Sequence, residues 1–475
     1  MIKKILIFTR PWEVRFHMAL GKKLSNKLHV PVEFATFFSK AKHIIETEST
    51  EEYKVYYMPQ LLRDIELEDF NDDYFKKVDI LLKEKIGVNF NIMINAERFL
   101  PKDENESQVF YKRHFLVLDS LIQEGTLAIS SFIDHYVYWL ASGLAWVKNG
   151  CYFAHCTIGM PPNYSVFYKH PRETWKKDLS LELSESIKQY SLDKLNIPTM
   201  KRVDYAIVTS RPGMLRRFTH TLKDIEFEKI DENYNSYFQY YAPYKSRIFG
   251  HIRNALKKLK PSAKRIYDIN TPDDLPKQFI YYPLHYEPEA TIFMLSPYFR
   301  DQIEASRIMA QSLPVGVKLV IKDHPQMYAL RDSEYYDKLR AIPNILLCSP
   351  LIEGKVLTEK CNGVVSLSGT AAIEAFLLGK NNLCLGWPPF GMALQYQNFS
   401  ENNHLIDLYN IFSAWIRTPK ATYDANKWND WCSRLCNVSL VPKNNGFEHE
   451  IIDDADKSDK VVSHIYACLE YEGII

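Results

Sequence analysis

Ile280-Tyr-Tyr-Pro-Leu-His-Tyr-Glu-Pro-Glu-Ala290, Leu319-Val-Ile-Lys-Asp-His-Pro325 and Val364-Val-Ser-Leu-Ser-Gly-Thr-Ala-Ala-Ile-Glu-Ala-Phe-Leu-Leu-Gly379 decide how this chain reads. In each, a short apolar run of the kind that forms a buried strand ends in residues able to bind phosphate, ribose or carboxylate. Ligands of open α/β sheets sit just past the carboxyl ends of the strands. Three such ends within one half of the chain point to a nucleotide site.

Around these motifs the alternation of strand and helix signals is regular. Strands are expected at 278–284, 315–322, 344–349, 363–367 and 382–387, with helices near 296–312, 328–340, 352–361 and 370–379. The N-terminal part alternates as well: strand Lys4–Thr9, helix Val14–Lys27 and strand Val32–Phe38 come first. A helix-rich stretch (61–125), strand Leu127–Phe132, helix Asp134–Lys148 and strand Cys151–Cys156 follow. Strands separated by helix-length segments predict parallel, doubly wound sheets. Residues 172–260 read as a helical insertion, Pro261–Lys277 as a linker, and 458–470 as a last helix crossing back over the first domain. The expected domains are therefore 1–268, 269–440 and a tail, 441–475.

The chain has 475 residues, which calls for two or three domains. Hydrophobic content of 46% with 25% charged residues is that of a globular protein. A net charge of +1 gives no whole-molecule case for nucleic acid. The 64 aromatic residues (30 Tyr, 26 Phe, 8 Trp) suit a large core or sugar-stacking clefts equally. Eight cysteines without a CxxC pair fit a reduced compartment. No run approaches the ~20 apolar residues of a membrane span, and the N-terminus reads as a strand rather than a signal peptide, so a cytoplasmic location is expected. One basic amphipathic helix, 247–260, is read as a packed surface helix, with peripheral contact at an anionic membrane as the sharper alternative.

Each polar cluster has a chemical and a plain structural reading. Lys322 and His324, with Pro325 ending the strand, are placed to hold phosphate, although a His beside Pro also caps ordinary turns. Ser366, Ser368, Gly369 and Thr370 open a helix whose free N–H groups attract anions, or simply form its N-cap. Glu374 stands one turn on, able to accept from ribose hydroxyls or to complement the helix dipole. The motif lacks Walker A spacing. His285, Glu287 and Glu289 form either an acid–base group or a solvated turn. In the N-terminal half, Arg10 and Glu13 follow the first strand. Asp134 follows a later one, either as the helix N-cap or as a catalytic carboxylate at a sugar carbon. His155, Arg172 and Gly159-Met-Pro-Pro-Asn163 are further candidates for substrate contact. There is no HxxxH or HExxH, so no metal site is expected.

The motifs Tyr282-Pro-Leu-His-Tyr-Glu-Pro-Glu289, Lys322-Asp-His-Pro325 and Ser368-Gly-Thr-Ala-Ala-Ile-Glu374 with Gly379 resemble those of the bacterial capsule polysaccharide biosynthesis family, which includes Kdo transferases. The resemblance implies a GT-B arrangement, two Rossmann-like domains facing a cleft, with His324-Pro325 and Ser366–Thr370 holding the nucleotide. It implies a metal-independent glycosyltransferase moving a sugar from a nucleotide-activated donor, such as a CMP-linked sugar, to a capsule or lipopolysaccharide acceptor. In the N-terminal half Asp134 stands where relatives often have Glu, and Arg172-Glu-Thr-Trp175 parallels an acidic segment ending in Arg. Asp134 is then the expected catalytic carboxylate, with Glu13 and Glu287 behind it, and Arg10, His285, Glu289 and Arg172 as substrate contacts. A UDP-sugar epimerase of the same fold and a non-catalytic assembly or export subunit are the alternatives.

Overall fold

The computed structural model describes residues 2–97, 100–101, 103–131, 133–158, 161, 164–178, 225–234, 267–287, 290–324, 327, 331–394, 397–398, 405–418, 421, 423–440 and 455–475. Pro325, Glu289, the expected helix 247–260 and most of the expected helical insertion lie outside them. The chain forms two compact units, built from the described residues of 1–181, 211–249 and 433–475, and of 182–210 and 250–432.

The first unit is organised by strand β1 (Lys4–Thr9), a nearly all-apolar run buried along its length after Lys4, as central parallel strands are. To one side lie β2 (Val32–Thr36) and β3 (Lys54–Tyr57), to the other β4 (Thr126–Ser130) and β5 (Cys151–Ile158), all parallel. The strand order reverses between β1 and β4, which is where open sheets bind ligands. Beyond β5 the expected all-parallel pattern breaks. Strand β6 (Tyr164–His170) turns back antiparallel and carries β7 (Glu173–Thr174) on its edge. The helix Ser39–Glu48 and β3 have only weak sequence patterns and escape the sequence reading.

The second unit is a wholly parallel sheet of β8 (Phe279–Pro283), β9 (Lys318–Lys322), β10 (Ile345–Cys348), β11 (Gly363–Ser366), β12 (Asn381–Cys384) and β13 (Gln397–Asn398). Their order is β10-β9-β8-β11-β12-β13. Alternate residues enter different cores, because successive side chains of a strand point to opposite faces. Ile280, Tyr282, Leu319 and Ile321 join Trp415 and Phe412 on one face. Phe279, Tyr281, Val320 and Val364 join Leu357 and Ala375 on the other. Both faces are thus covered by helices, and the reversal lies between β8 and β11.

Burial and pairing mark both ends of the second unit. The expected linker enters the second core from Tyr267 onward: Ile269 is buried, forms an isolated bridge to Cys348 and packs in the apolar cluster of Phe279, Tyr281 and Val320. At the other end the chain leaves the second unit before 440, since β14 (Leu435–Cys436) already pairs with β6. The last helix, Ala455–Tyr471, packs on Val14–Leu28 of the first unit as expected. There Val461, Ile465 and Leu469 are fully buried, each contributing roughly 1.5–3 kcal/mol. Lys23 adds a hydrogen bond to Ser458 at 2.8 Å. No described helix is long and apolar enough to cross a membrane. None of the eight cysteines is in a disulfide, and Cys348 and Cys384 are buried as small hydrophobes are.

Candidate functional site

In the second unit all three motifs meet at the carboxyl edge of the sheet, around the β8/β11 reversal. The chain after β8 is held rigidly. The His285 amide donates to Gln302 Oε1 at 2.7 Å, and Arg331 donates to the His285 carbonyl at 2.5 Å. The imidazole reaches across to the loop after β11, where its Nε2 accepts from the Ser368 amide at 3.3 Å. That backbone donor makes Nε2 the acceptor, so Nδ1 carries the proton. Nδ1 is buried and has no hydrogen-bond partner among the described residues. Burial, with His324 and Arg331 nearby, pushes the His285 pKa down to about 3, and the ring is neutral.

The loop itself is closed by Ser366, whose Oγ accepts from the Gly369 amide at 2.8 Å. A Cβ on Gly369 would meet His285 Nε2 and Ser366 Oγ, each at 3.1 Å, so a larger residue would push the ring away from the loop. The helix Ala371–Leu377 follows, with Thr370 making no side-chain cap to it. Hydroxyl capping, the plain reading of this motif, is therefore absent at Thr370. Gly379, at φ 62°, stops the helix as a left-handed residue that glycine adopts without strain.

The second motif joins through a residue the sequence reading did not single out. Arg331 is an ion-pair partner of both Glu287 and Asp323, the latter at 3.1 Å. Asp323 also accepts from the His324 amide at 2.8 Å and from the Tyr336 hydroxyl. Glu287, read from the sequence as an acid–base candidate or part of a solvated turn, is thus paired with Arg331. Its partner lies 44 residues away, which no local spacing reveals. Burial and Lys322 hold the His324 pKa down at about 4. Lys322 is itself buried and lowered by burial, and Glu374 is pushed up to about 7 by burial against the pull of Lys322 and Lys355. No ion pair joins Lys322 to Glu374 among the described residues, so a cation and a carboxyl sit close without direct contact.

In the first unit the expected residues converge at the β1/β4 reversal. Asp134 is ion-paired with Arg10, whose guanidinium also lies 5.2 Å from the Tyr138 ring centre. Asp134 is not the N-cap of the helix Tyr136–Val147: His135 holds that position, and the distant Glu97 accepts from the Tyr136 amide at 2.9 Å. Glu13 is only 1% exposed, and burial pushes its pKa up to about 7 against the pull of Arg10. A carboxyl so enclosed is a poor partner for a sugar. His155 lies within β5, its Nε2 4.0 Å from Glu13. His17 joins them, so that one atom each of Glu13, His17 and His155 lie within 4.8 Å of one another. Arg172 is not part of this group. Because β6 runs antiparallel to β5, it ends at the opposite edge of the sheet, where Arg172 donates to the Gly87 carbonyl at 3.1 Å.

No curated protein matches the sequence. Among solved structures, the beta Kdo 2,7 transferase KpsC of Thermosulfurimonas dismutans is similar at 11% identity, over 74% of this chain and 88% of that one, with a TM-score of 0.30. Anabaena Alr3699/HepE in complex with UDP-glucose is similar at 10% identity over 98% and 99%, with a TM-score of 0.26. The UDP-GlcNAc 2-epimerase of Methanocaldococcus jannaschii matches at 10% identity over 91% and 98%, with a TM-score of 0.28. Through residues 228–407, which hold all three motifs, this chain matches the family described as capsule polysaccharide biosynthesis protein, the family those motifs resemble.

Proposed function

We propose that this chain is a glycosyltransferase of surface-polysaccharide assembly that takes a sugar from a nucleotide-activated donor. The convergence of the three motifs at the β8/β11 reversal carries this reading. There the Ser366–Thr370 loop, Lys322 and the neutral His324 offer donors and positive charge to a phosphate, and Glu374 offers an acceptor to ribose. The unpartnered Nδ1–H of His285 is a further donor, since buried polar groups without partners are rare and call for an explanation. In this scheme the nucleotide leaves as a phosphate stabilised by these groups without Mg²⁺. Asp134 is the carboxylate acting on the oxocarbenium-like sugar. It is the most exposed of the carboxylates that the first unit gathers around Arg10, with 18% of its side chain open.

A thermal-shift panel of CMP, CDP, UDP and GDP tests the nucleotide site, because a ligand specific to the folded state raises its stability by mass action. One nucleotide should stabilise the protein, and labelled sugar should then pass from that nucleotide to a capsule or lipopolysaccharide acceptor. Interconversion of a free UDP-sugar without acceptor would show an epimerase instead. Nucleotide binding without any turnover would show an assembly subunit.

A further inference from the structure

The sequence shows no HxxxH or HExxH, yet the fold assembles metal-type donors in the first unit. Glu13 and His17 are four residues apart at the start of the helix Val14–Leu28, and the helical bond from the His17 amide to the Glu13 carbonyl, 2.9 Å, puts them on one face. His155 comes from β5, two strands away from β1 in the sheet. We propose that Glu13, His17 and His155 form a binding site for one divalent transition-metal ion of the zinc type.

Three observations carry the assignment. First, the three side chains offer one oxygen and two nitrogens within 4.8 Å of one another. A tetrahedral ion with bonds of about 2.0–2.2 Å needs donors about 3.3–3.5 Å apart, so small side-chain rotations complete the set. Second, the donors are buried, and one of them is orphaned. Glu13 Oε1 has no hydrogen-bond partner among the described residues, and Glu13, His17 and His155 are 1%, 1% and 8% exposed. Third, His17 already has the outer support that metal-bound histidines share. Its Nδ1 lies 3.0 Å from Thr9 Oγ1, which orients the ring and leaves Nε2 for the ion.

The donor set selects the ion. Two imidazoles and one carboxylate suit zinc and its neighbours better than Mg²⁺ or Ca²⁺, which prefer all-oxygen sites. The nearby Arg10 does not forbid a cation, because Asp134 neutralises it. The site goes beyond the proposed function and does not use the nucleotide motifs, which lie in the other unit.

Titration of the full-length, chelator-treated protein with Co²⁺ alone tests the site. One equivalent should bind and give the visible bands of low-coordinate cobalt without a thiolate-to-cobalt charge-transfer band, and Zn²⁺ should displace it. His17→Gln and His155→Gln should each weaken binding at least 100-fold. Thr9→Val, which keeps every ligand, should weaken it by about 10–100-fold. His43→Gln, at an exposed histidine of the same unit, should bind as the wild type does. Absence of a stoichiometric site, a charge-transfer band showing cysteine ligands, or wild-type affinity in His155→Gln would each overturn the proposal. If His17→Gln does not fold, His155→Gln and Thr9→Val decide.

Discussion

The Nε2 of His285 accepts the amide proton of Ser368 at 3.3 Å, and so joins the first motif to the third across 83 residues of chain. One ring thereby sets the distance between the strand ends at which the nucleotide is proposed to bind. His285→Ala leaves the Ser368 amide unsatisfied and opens a cavity beside Gly369. It should cost about 1–3 kcal/mol in urea unfolding, with a matching loss of nucleotide affinity. Wild-type values of both would show that the contact carries no weight.

The same ring gives a pH signature. Its pKa is near 3 in the folded protein and 6.5 when unfolded. Between these values the unfolded chain binds a proton that the folded one does not, so stability falls as pH drops from 6.5 toward 3. His285→Gln, which keeps an acceptor, should flatten this acid limb by up to one proton, about 1.4 kcal/mol per pH unit. Unfolding free energies measured across that range would show an unchanged slope if the ring were solvated.

Glu374 acts in the opposite direction. Its carboxyl titrates at about 7 when folded, against 4.5 for an ordinary Glu, mainly because burial opposes its charge. Between these values the folded state holds the extra proton, so Glu374 lowers stability as pH rises from 4.5 to 7. Glu374→Gln should match the wild type at pH 4 to 5 and be more stable by roughly 1–3 kcal/mol at pH 8. It should also bind nucleotide less tightly, if the carboxylate accepts from ribose. Equal stability at both pH values would remove the buried-carboxyl argument.

Arg331 is the residue whose loss should damage the site most broadly. It pairs with Asp323 and Glu287 and holds the His285 carbonyl. Arg331→Met leaves two carboxylates unpaired, Asp323 being 2% exposed, and should cost about 3–5 kcal/mol. Arg331→Lys should restore little, because an ammonium lacks the planar fork that reaches several acceptors at once. Chemical denaturation of both variants checks the order.

Much of this was legible before the structure. β1 is read to the residue, because a run such as Lys4-Ile-Leu-Ile-Phe-Thr9 leaves few alternatives. Four of the helices predicted beside the motifs, and the last helix, appear near their expected positions. What the sequence hides is whatever depends on distant pairing. The Asp134 side chain could cap its helix or meet Arg10 124 residues away, and only the fold chooses the latter. Gln302, Arg331 and His17 carry no motif of their own. Their roles come from neighbours that the sheet brings to them.

Nucleotide affinity should not depend on a divalent ion. In the proposed site, Lys322 and the start of the helix after the 366–370 loop take the place that Mg²⁺ has elsewhere, with the neutral His324 as a hydrogen-bond partner. Calorimetric titration with the nucleotide that stabilises the protein should give equal affinity in EDTA and in Mg²⁺. Binding only with Mg²⁺ or Mn²⁺ would reject the metal-free phosphate site. The outcome does not bear on the ion proposed at Glu13, His17 and His155, because nucleotide affinity reports on the other unit.

Asp134→Asn separates chemistry from binding. The substitution keeps size and leaves an oxygen that accepts from Arg10, but it removes the negative charge that the proposed reaction places against an oxocarbenium-like sugar. Turnover should fall at least about 10²-fold, as when one aligned electrostatic group is lost from an active site. The ion pair with Arg10 weakens to a charge-assisted hydrogen bond, which should lower stability by about 1 kcal/mol. Nucleotide affinity should stay at the wild-type value, since Lys322, His324 and Glu374 are untouched. Steady-state transfer assays and nucleotide titration on the same preparation give both readings. Full activity in Asp134→Asn would remove Asp134 from the reaction. Loss of nucleotide binding together with activity would show that the substitution acts on the fold and not on the chemistry.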